Sequence, residues 1–281
     1  MSAMPPGSTV GIIGAGRVGS VLGAALSEAG YPIIATSRSR PHDLLADALR
    51  GTPTEVTEAA DLVLVAVPDD VLAPLVRQLR FRPGQVVAHT SGAHGTGVLA
   101  PAVAQGAQPL AMHPAMTFTG RPDDLFRLRK GIPFGLTAPD DVRPLAEALV
   151  RELHGIPEWI AEDRRTLYHA ALAHGANHLV TLVNEARDRL RDAGVAHPER
   201  VLDPLLHAAL DNALRLGDAA LTGPVSRGDA GTVAAHLDTL ARNAPDSAPV
   251  YWALARRTAE RAVAAGRLTE AEAENLREVL P

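Results

Sequence analysis

The chain begins with a short apolar segment that runs directly into a glycine-rich turn. The segment is Val10-Gly11-Ile12-Ile13, and the turn is Gly14-Ala15-Gly16-Arg17-Val18-Gly19. The spacing predicts a buried strand, a tight turn at Gly14, room for a phosphate at Gly16 and a closely packed helix at Gly19. The N–H groups at the start of such a helix attract an anion. We therefore predict that residues 14–19 bind the pyrophosphate of a dinucleotide, the alternative being an ordinary strand-turn-helix corner.

The end of the second predicted strand indicates which dinucleotide is bound. Residues 31–36 are apolar and lead into Ser37-Arg38-Ser39-Arg40. Proteins that bind NAD usually place a carboxylate at this position, where it accepts a hydrogen bond from the ribose 2′-hydroxyl. Ser37 and Arg38 offer a hydroxyl and a guanidinium, which suit a 2′-phosphate. The sequence therefore predicts NADP(H), although both arginines would also suit a solvated loop.

The remaining pattern predicts two domains. Apolar runs at 60–68, 85–89, 108–113 and 132–136 are typical of buried strands, and they follow one another with helical segments between them. After residue 164 the pattern is helical throughout, with predicted helices at 167–190, 198–216, 232–243, 249–265 and 269–279. We predict an α/β Rossmann-like, doubly wound parallel sheet at 1–160, followed by a separate all-α domain at 161–281.

Composition excludes several classes of protein. The formal net charge is -5, so no basic face favours nucleic acid. Cysteine is absent, which excludes disulfides, thiolate nucleophiles and cysteine-ligated metals. No apolar run has the length of a membrane helix, and we expect a cytoplasmic protein without a membrane partner. Lys130 is the only lysine.

Polar residues follow several predicted strands, at the sheet edge where ligands of open parallel sheets bind. Val67 and Pro68 end one strand, Thr90 and Ser91 follow the next, and His113 lies at the end of a third. We expect the first four to contact the cofactor and His113 to contact a ligand. The alternatives are a loop whose hydroxyls bond its own backbone and a structural histidine.

The most polar part of the first long predicted helix is Tyr168-His169-Ala170-Ala171-Leu172-Ala173-His174-Gly175-Ala176-Asn177-His178. On an α-helix, His169, Ala173 and Asn177 would share one face at spacings of four. The small residues nearby leave room for a substrate. The alternative is a core-lining helix with paired histidines. We predict no metal site, because His169 and His174 are not spaced as an i, i+4 zinc pair.

A glycine-rich connection in the helical domain carries a second candidate. It reads Thr222-Gly223-Pro224-Val225-Ser226-Arg227-Gly228-Asp229, and His236 follows. Arg227 could bind both oxygens of a substrate carboxylate. Equally, Arg227 and Asp229 could pair with each other and cap the next helix.

Taken together, these motifs resemble a bacterial family that joins a Rossmann-like domain to a helical domain of formerly unknown function. The motifs that carry the resemblance are the glycine turn, His-Thr-Ser-Gly at 89–92, His-Pro at 113–114, Tyr168-His169 with Asn177, and residues 222–229 with His236. The wider superfamily includes ketopantoate reductases, 3-hydroxyisobutyrate dehydrogenases, pyrroline-5-carboxylate reductases and prephenate dehydrogenases. The resemblance implies an NADP-dependent oxidoreductase, and similar members are tied to the ketopantoate reductase step of pantothenate synthesis.

The sequence departs from the better-studied relatives at one position. Their helical domain commonly carries a catalytic lysine one turn before an asparagine, and here Ala173 precedes Asn177 by one turn. We therefore expect a histidine to supply the proton in carbonyl reduction, with His169 the first choice and His113 and His174 the alternatives. Asn177 would orient the substrate and Arg227 would hold its carboxylate.

The sequence thus predicts an NADPH-dependent reductase of a small 2-oxo acid such as ketopantoate. Two alternatives stay open, namely a protein that binds NADP(H) without turnover and an enzyme that acts on another small acid or an imine. The apolar helical domain also suggests a homodimer.

Overall fold

A computed structural model describes residues 3–36 and 43–280 of the 281-residue chain. It divides into two compact units, Met1–Ala176 and Asn177–Pro281. The sequence predicts a domain boundary after residue 160. The structure instead assigns residues 161–176, which include the helix Arg165–Leu172, to the first unit.

A single eight-stranded sheet forms the centre of the first unit within the described residues. Its strands are β1 Val10–Ile13, β2 Ile33–Thr36, β3 Leu49–Arg50, β4 Leu62–Val65, β5 Val86–His89, β6 Gln108–Pro114, β7 Pro133–Thr137 and β8 Ile156–Trp159. The spatial order is β3-β2-β1-β4-β5-β6-β7-β8. All neighbours are parallel except β6 and β7, which are antiparallel. The predicted fold class is therefore confirmed, with one antiparallel pair in a sheet that is otherwise parallel.

Helices cover this sheet, and apolar cores lie on both of its faces. The helices are α1 Arg17–Glu28, α2 Pro53–Ala59, α3 Asp69–Gln78, α4 Ala100–Val103, α5 Pro122–Arg129, α6 Arg143–Glu152 and α7 Arg165–Leu172. Successive residues of β1 point to opposite faces, so that Ile12 belongs to one core and Ile13 to the other. Strands β1, β4 and β5 are buried over their whole length, which explains their continuous apolar sequences.

The second unit is helical. Its helices are α8 His178–Asp192, α9 Pro198–Leu216, α10 Ala230–Asn243, α11 Ala248–Ala264 and α12 Glu270–Val279. The bounds of α9 to α12 agree closely with the sequence prediction. The core of this unit is built mainly from α10, α11 and α12, around Val233, Ala262 and Leu276. No helix of the described chain is both long and apolar enough to cross a membrane.

One predicted helix is interrupted. The sequence pattern indicated a continuous α-helix at 167–190, but a π-helical segment, Ala173–Asn177, separates α7 from α8. Backbone hydrogen bonds in a π-helix run from i to i+5, and such segments occur often at functional sites. The expectation that His169, Ala173 and Asn177 share one face assumed α-helical spacing, and it stays a prediction, because residues four apart also lie near one face of a π-helix.

Candidate active site

The turn after β1 has the geometry that the glycine spacing predicted. Gly14 has φ +94°, and a Cβ at this position would lie 2.5 Å from the carbonyl oxygen of Ala66. At Gly19 a Cβ would lie 2.3 Å from the carbonyl oxygen of Gly14, so the helix approaches the turn as closely as a glycine allows. At Gly16, by contrast, a Cβ would meet no atom within 4 Å. The turn thus leaves open space above Gly16, which is where the fold brings a pyrophosphate to the backbone.

The other predicted cofactor residues lie around this turn or on neighbouring strand ends. Ala15 is buried, Arg17 and Val18 open helix α1, and Gly16 is its N-cap residue. The side chain of Val67 borders Gly14, with its Cγ1 2.9 Å from a Cβ placed there. Pro68 is the N-cap residue of α3. Ser37 and Arg38, on which the preference for NADP(H) depends, lie outside the described residues.

The loop after β5 is fixed by a buried histidine. The Nε2 of His89 lies 2.8 Å from the carbonyl oxygen of Gly95, and its Nδ1 accepts from the N–H of Ser91 at 3.2 Å. These partners place the ring proton on Nε2, because a carbonyl can only accept. Burial lowers the pKa of His89 to about 4, so the ring is neutral at physiological pH. The hydroxyl of Ser91 also accepts a backbone bond, from the N–H of His94 at 3.1 Å.

Arg165 joins this loop to β7. Its side chain is 1% exposed, and its guanidinium donates to three backbone carbonyls. The acceptors are His94 at 2.9 Å, Gly135 at 3.0 Å and Ser91 at 2.6 Å. A buried guanidinium needs such partners, since leaving its donors unsatisfied is costly. Arg165 therefore holds the β5 loop and the first residue of α7 against the sheet.

Glu162 fastens the same loop from its other side. Its carboxylate accepts from the N–H groups of Thr96 and Gly97, at 2.8 Å and 2.9 Å. These bonds cap the short helical segment that begins at Thr96, and they lower the pKa of Glu162. A Cβ on Gly95 would lie 2.1 Å from the carboxylate.

The end of β6 carries a cluster of aromatic and imidazole rings. Nδ1 of His113 lies 2.9 Å from the hydroxyl of Tyr168, and the two rings meet edge to face. The His169 ring lies beside them, with its centroid 6.0 Å from that of His113. A Cβ on Gly92 would lie 2.6 Å from His169 and 3.2 Å from His113. The ends of β5 and β6 and helix α7 thus meet in one place, which we name the ring cluster (His113, Tyr168 and His169).

Burial and charge set the protonation of the ring cluster. Burial and the nearby positive charge of Arg165 lower the pKa of His113 to about 4. Burial raises the pKa of Tyr168 above its ordinary value. At neutral pH both side chains are therefore uncharged, and each can donate and accept a proton.

The ring cluster and the glycine turn lie at the same edge of the sheet. Strands β1, β4, β5 and β6 are consecutive neighbours and parallel, so their carboxyl ends face the same side. Three strand spacings separate β1 from β6, about 14 Å. The glycine turn and a group of titratable side chains thus occupy one edge, the edge at which open parallel sheets bind their ligands.

Two of the predicted site residues of the helical unit are exposed, unlike the buried groups at the sheet edge. Asn177 is exposed, and Arg227 is exposed in the 3₁₀ segment Val225–Arg227. Asp229 caps α10, because its carboxylate accepts from the N–H and hydroxyl of Thr232 at 3.1 Å and 2.7 Å. Within the described chain Arg227 and Asp229 form no ion pair, so only the capping half of that interpretation is confirmed. His236 bonds the hydroxyl of Tyr251 at 2.8 Å.

Three residues that organise this edge, Arg165, Glu162 and Tyr168, are not among the site residues predicted from the sequence. Arg164 and Arg165 are identical in sequence terms, yet one side chain is 69% exposed and the other is buried. Tyr168 belongs to the polar stretch and to a motif of the family resemblance, but the sequence pattern gives it no role of its own. No sequence signal separates the two arginines, whereas Tyr168 could have been found from its position next to His169.

Comparison with known proteins agrees with this architecture. Residues 2–114 match the family described as Rossmann-like domain, and residues 132–258 match the Domain of unknown function (DUF2520). A glycerol-3-phosphate dehydrogenase [NAD(P)+] of Halorhodospira halophila is 29% identical over 168 residues, which are 52% of this chain and 50% of that protein. The chain thus spans about half the length of this curated relative. Segments of the chain are thus similar to a Rossmann-like domain, to a DUF2520 domain and to part of an NAD(P)-dependent dehydrogenase.

Solved structures resemble nearly the whole chain. A Bacteroides fragilis protein named as an NADP oxidoreductase has a TM-score of 0.73 at 23% identity, over 90% of this chain and 98% of the other. The 1-pyrroline-5-carboxylate reductase of Streptococcus pyogenes has a TM-score of 0.63 at 18% identity, over 91% and 98%. At these identities the likeness establishes the fold.

Proposed function

We propose that this protein is an NADPH-dependent reductase of a small 2-oxo acid, with ketopantoate as the leading candidate substrate. The observation that carries the proposal is the pairing, at one sheet edge, of a glycine turn open at Gly16 with the ring cluster. The names of the relatives support the oxidoreductase class and the NADP(H) cofactor. Ketopantoate rests on the sequence resemblance alone.

The first unit offers groups for binding the cofactor. The backbone of residues 14–19 would hold the pyrophosphate, and Ser37 and Arg38 would hold the 2′-phosphate. Val67 and Pro68 follow β4, the neighbour of β1, and Thr90 and Ser91 follow β5, the neighbour of β4. These four residues would line the remainder of the cofactor site. When bound, the dihydronicotinamide supplies the hydride.

The protein's own task is to hold the substrate and to protonate the oxygen that becomes an alkoxide. Arg227 is the proposed partner of the substrate carboxylate, and Asn177 is proposed to orient the carbonyl. His113 and His169 lie in the ring cluster, where they can contact the substrate. His169 is the proton donor proposed from the sequence.

The direct test is NADPH oxidation, followed by absorbance, with purified protein and ketopantoate. NADH and other 2-oxo acids run in parallel. We expect saturable turnover that is faster with NADPH than with NADH. NADPH binding without oxidation by any substrate would contradict the reductase and favour a protein that binds NADP(H) without turnover.

Reduction of an imine acid is the second candidate function. It is favoured by the likeness to a 1-pyrroline-5-carboxylate reductase, whose named substrate carries a C=N bond and a carboxylate. The same assay with 1-pyrroline-5-carboxylate separates the two. Turnover of this compound without turnover of 2-oxo acids would replace the first candidate.

We also propose that the helical unit forms a homodimer. Helix α8 buries none of its residues, and α9 buries only Pro198 and Leu202. Large apolar side chains on α9 are exposed instead, among them Leu205, Leu210 and Leu214. Exposed apolar surface of this kind marks interaction sites. Light scattering should give twice the chain mass for the unmodified protein. The double variant Leu205→Glu, Leu214→Glu should have the mass of a single chain. A monomeric unmodified protein would contradict the dimer.

A further inference from the structure

We propose that Tyr168 is the catalytic residue that gives the proton to the substrate oxygen, and that His113 returns a proton to Tyr168. The inference rests on the proposed reductase function. It assigns the proton donor to a residue for which the sequence pattern gave no role.

Tyr168 is held where the end of β6 meets the first residues of α7. Its hydroxyl lies 2.9 Å from Nδ1 of His113. It also lies against β7, since a Cβ on Gly135 would be 2.7 Å from the hydroxyl oxygen. Gly135 is the residue paired with His113 across β6 and β7. Both the hydrogen bond and the absence of a side chain at 135 therefore place the hydroxyl beside His113.

The buried guanidinium of Arg165 fixes this arrangement. It donates to the carbonyl of Gly135 at 3.0 Å, and its Cζ lies 5.6 Å from the centre of the Tyr168 ring. Arg165 and Tyr168 lie on consecutive positions of one helical face, three residues apart. The side chain is thus preorganised, which is a requirement for efficient proton transfer.

Tyr168 is half-buried, so part of its surface is open to a ligand. A hydroxyl can accept one proton and donate another. When Nδ1 of His113 donates to the Tyr168 oxygen, the Tyr168 proton is directed away from His113. This geometry gives the hydroxyl both a proton to deliver and a neighbour that can replace it.

His169 has a different environment. Its ring lies edge-on to His113 and against Gly92, where a Cβ would be 2.6 Å away. These are packing contacts, and neither supplies a proton to His169. The geometry therefore favours Tyr168 as the proton donor, and His169 lines the site.

When bound, the dihydronicotinamide would supply a hydride to the substrate carbon and would thereby be oxidised, and the C=O π electrons would move to oxygen. The O–H bond of Tyr168 breaks, and a new O–H bond forms on the alcohol product. The tyrosinate takes the Nδ1 proton of His113 while Nε2 of His113 takes a proton from water. The net reaction consumes one solvent proton for each carbonyl reduced.

The test compares Tyr168→Phe with Tyr31→Phe. Both changes remove one hydroxyl, and that of Tyr31 bonds Glu152 at 2.7 Å, away from the ring cluster. With the substrate identified by the oxidation assay, we expect Tyr168→Phe to lower kcat by about 10²- to 10⁴-fold, the usual share of a general acid. Affinity for NADPH, measured by fluorescence, should be unchanged. Tyr31→Phe should retain kcat, and His169→Ala should lose less activity than Tyr168→Phe.

His113 has its own readouts. In His113→Ala we expect kcat to fall and added imidazole to restore part of it, because the lost proton carrier is replaced. In the protein without cofactor, the histidine nitrogen resonances of His113 should move in Tyr168→Phe and stay in place in Tyr31→Phe.

Two results would overturn the assignment. One is a kcat for Tyr168→Phe within about twofold of the unmodified enzyme, far less than the 10²- to 10⁴-fold loss expected on removal of a general acid. The other is a His113 spectrum that does not respond to Tyr168→Phe, which would show that the hydrogen bond is absent. If none of the tested substrates supports NADPH oxidation by the unmodified protein, the proposed reductase function fails instead. The His113 spectrum still decides whether the hydrogen bond between His113 and Tyr168 exists.

Discussion

Polar side chains at the sheet edge and in the helical unit differ in their exposure and in their hydrogen-bond partners. At the sheet edge, Arg165, His89 and Glu162 bond backbone groups that are distant in sequence or lie across a loop. In the helical unit, Asn177 and Arg227 are exposed, and Asp229 makes only a local cap. The packing of the first region therefore determines the geometry of its candidate site residues. In the second region the candidate residues Asn177 and Arg227 lie at exposed positions.

The largest effect expected from this contrast is at Arg165. Arg165→Met removes the donor from three backbone carbonyls, of which those of Ser91 and Gly135 are buried, at a cost of about 3 kcal/mol in the free energy of unfolding. Arg164→Met, one residue earlier and exposed, should change it by less than about 0.5 kcal/mol. Urea unfolding of both variants measures the difference. Equal midpoints would show that Arg165 does not hold the edge together.

The second effect is acid sensitivity at His89. Its pKa is about 4 in the folded protein and about 6.5 in an unfolded chain. Because the folded pKa is the lower one, the stabilisation is complete above pH 6.5 and is lost as the pH falls towards 4, by up to about 3 kcal/mol. The lowered pKa of His113 likewise reduces the free energy of unfolding as the pH falls.

Urea unfolding between pH 7 and pH 4 tests this dependence. His89→Gln should flatten the profile, and the exposed His197→Gln in the helical unit should leave it as steep as before. A profile that is unaffected by His89→Gln would contradict a buried neutral imidazole.

A smaller effect is expected at the glycine turn. Gly19→Ala places a methyl group 2.3 Å from the carbonyl oxygen of Gly14, which should destabilise the first unit by about 1–3 kcal/mol. Gly16→Ala meets open space and should leave the Tm unchanged. Calorimetry compares the two, and a Gly16→Ala variant that is the less stable would contradict the geometry of the turn.

The smallest effect on stability is expected in the helical unit. Arg227→Ala removes an exposed side chain and should change the free energy of unfolding by less than about 0.5 kcal/mol. If Arg227 binds the substrate carboxylate, KM should nevertheless rise about 10- to 100-fold. An unchanged KM in steady-state kinetics would remove Arg227 from the site.

The elements whose signals are local were predictable from the sequence. The turn at 14–19 follows from glycine spacing, and the helices of the second unit follow from apolar periodicity and their end residues. Strand β8 was missed because residues 156–159 form an edge of the sheet with little burial. The π-helical segment at 173–177 was missed because its residues fit an α-helix equally well in sequence.

The site could be predicted only in part, for the same reason. Positions at or near the end of a strand, such as Ser91 and His113, can be located once the strands are known. The role of Tyr168 depends on a side chain from α7 reaching the end of β6, and that of Arg165 on three carbonyls from two segments. Such contacts between distant segments produce no periodic pattern of residue types in the sequence.

The proposed function requires the sheet edge of the first unit to bind NADPH at the glycine turn. The most direct measurement is a fluorescence titration of NADPH into the unmodified protein and into Gly16→Ala, with the Tm of both recorded. We expect saturable binding by the unmodified protein and weaker binding by the variant at an unchanged Tm, because the added methyl occupies the open space above the turn. Equal affinity for NADPH in both proteins, or no binding by either, would contradict the claim.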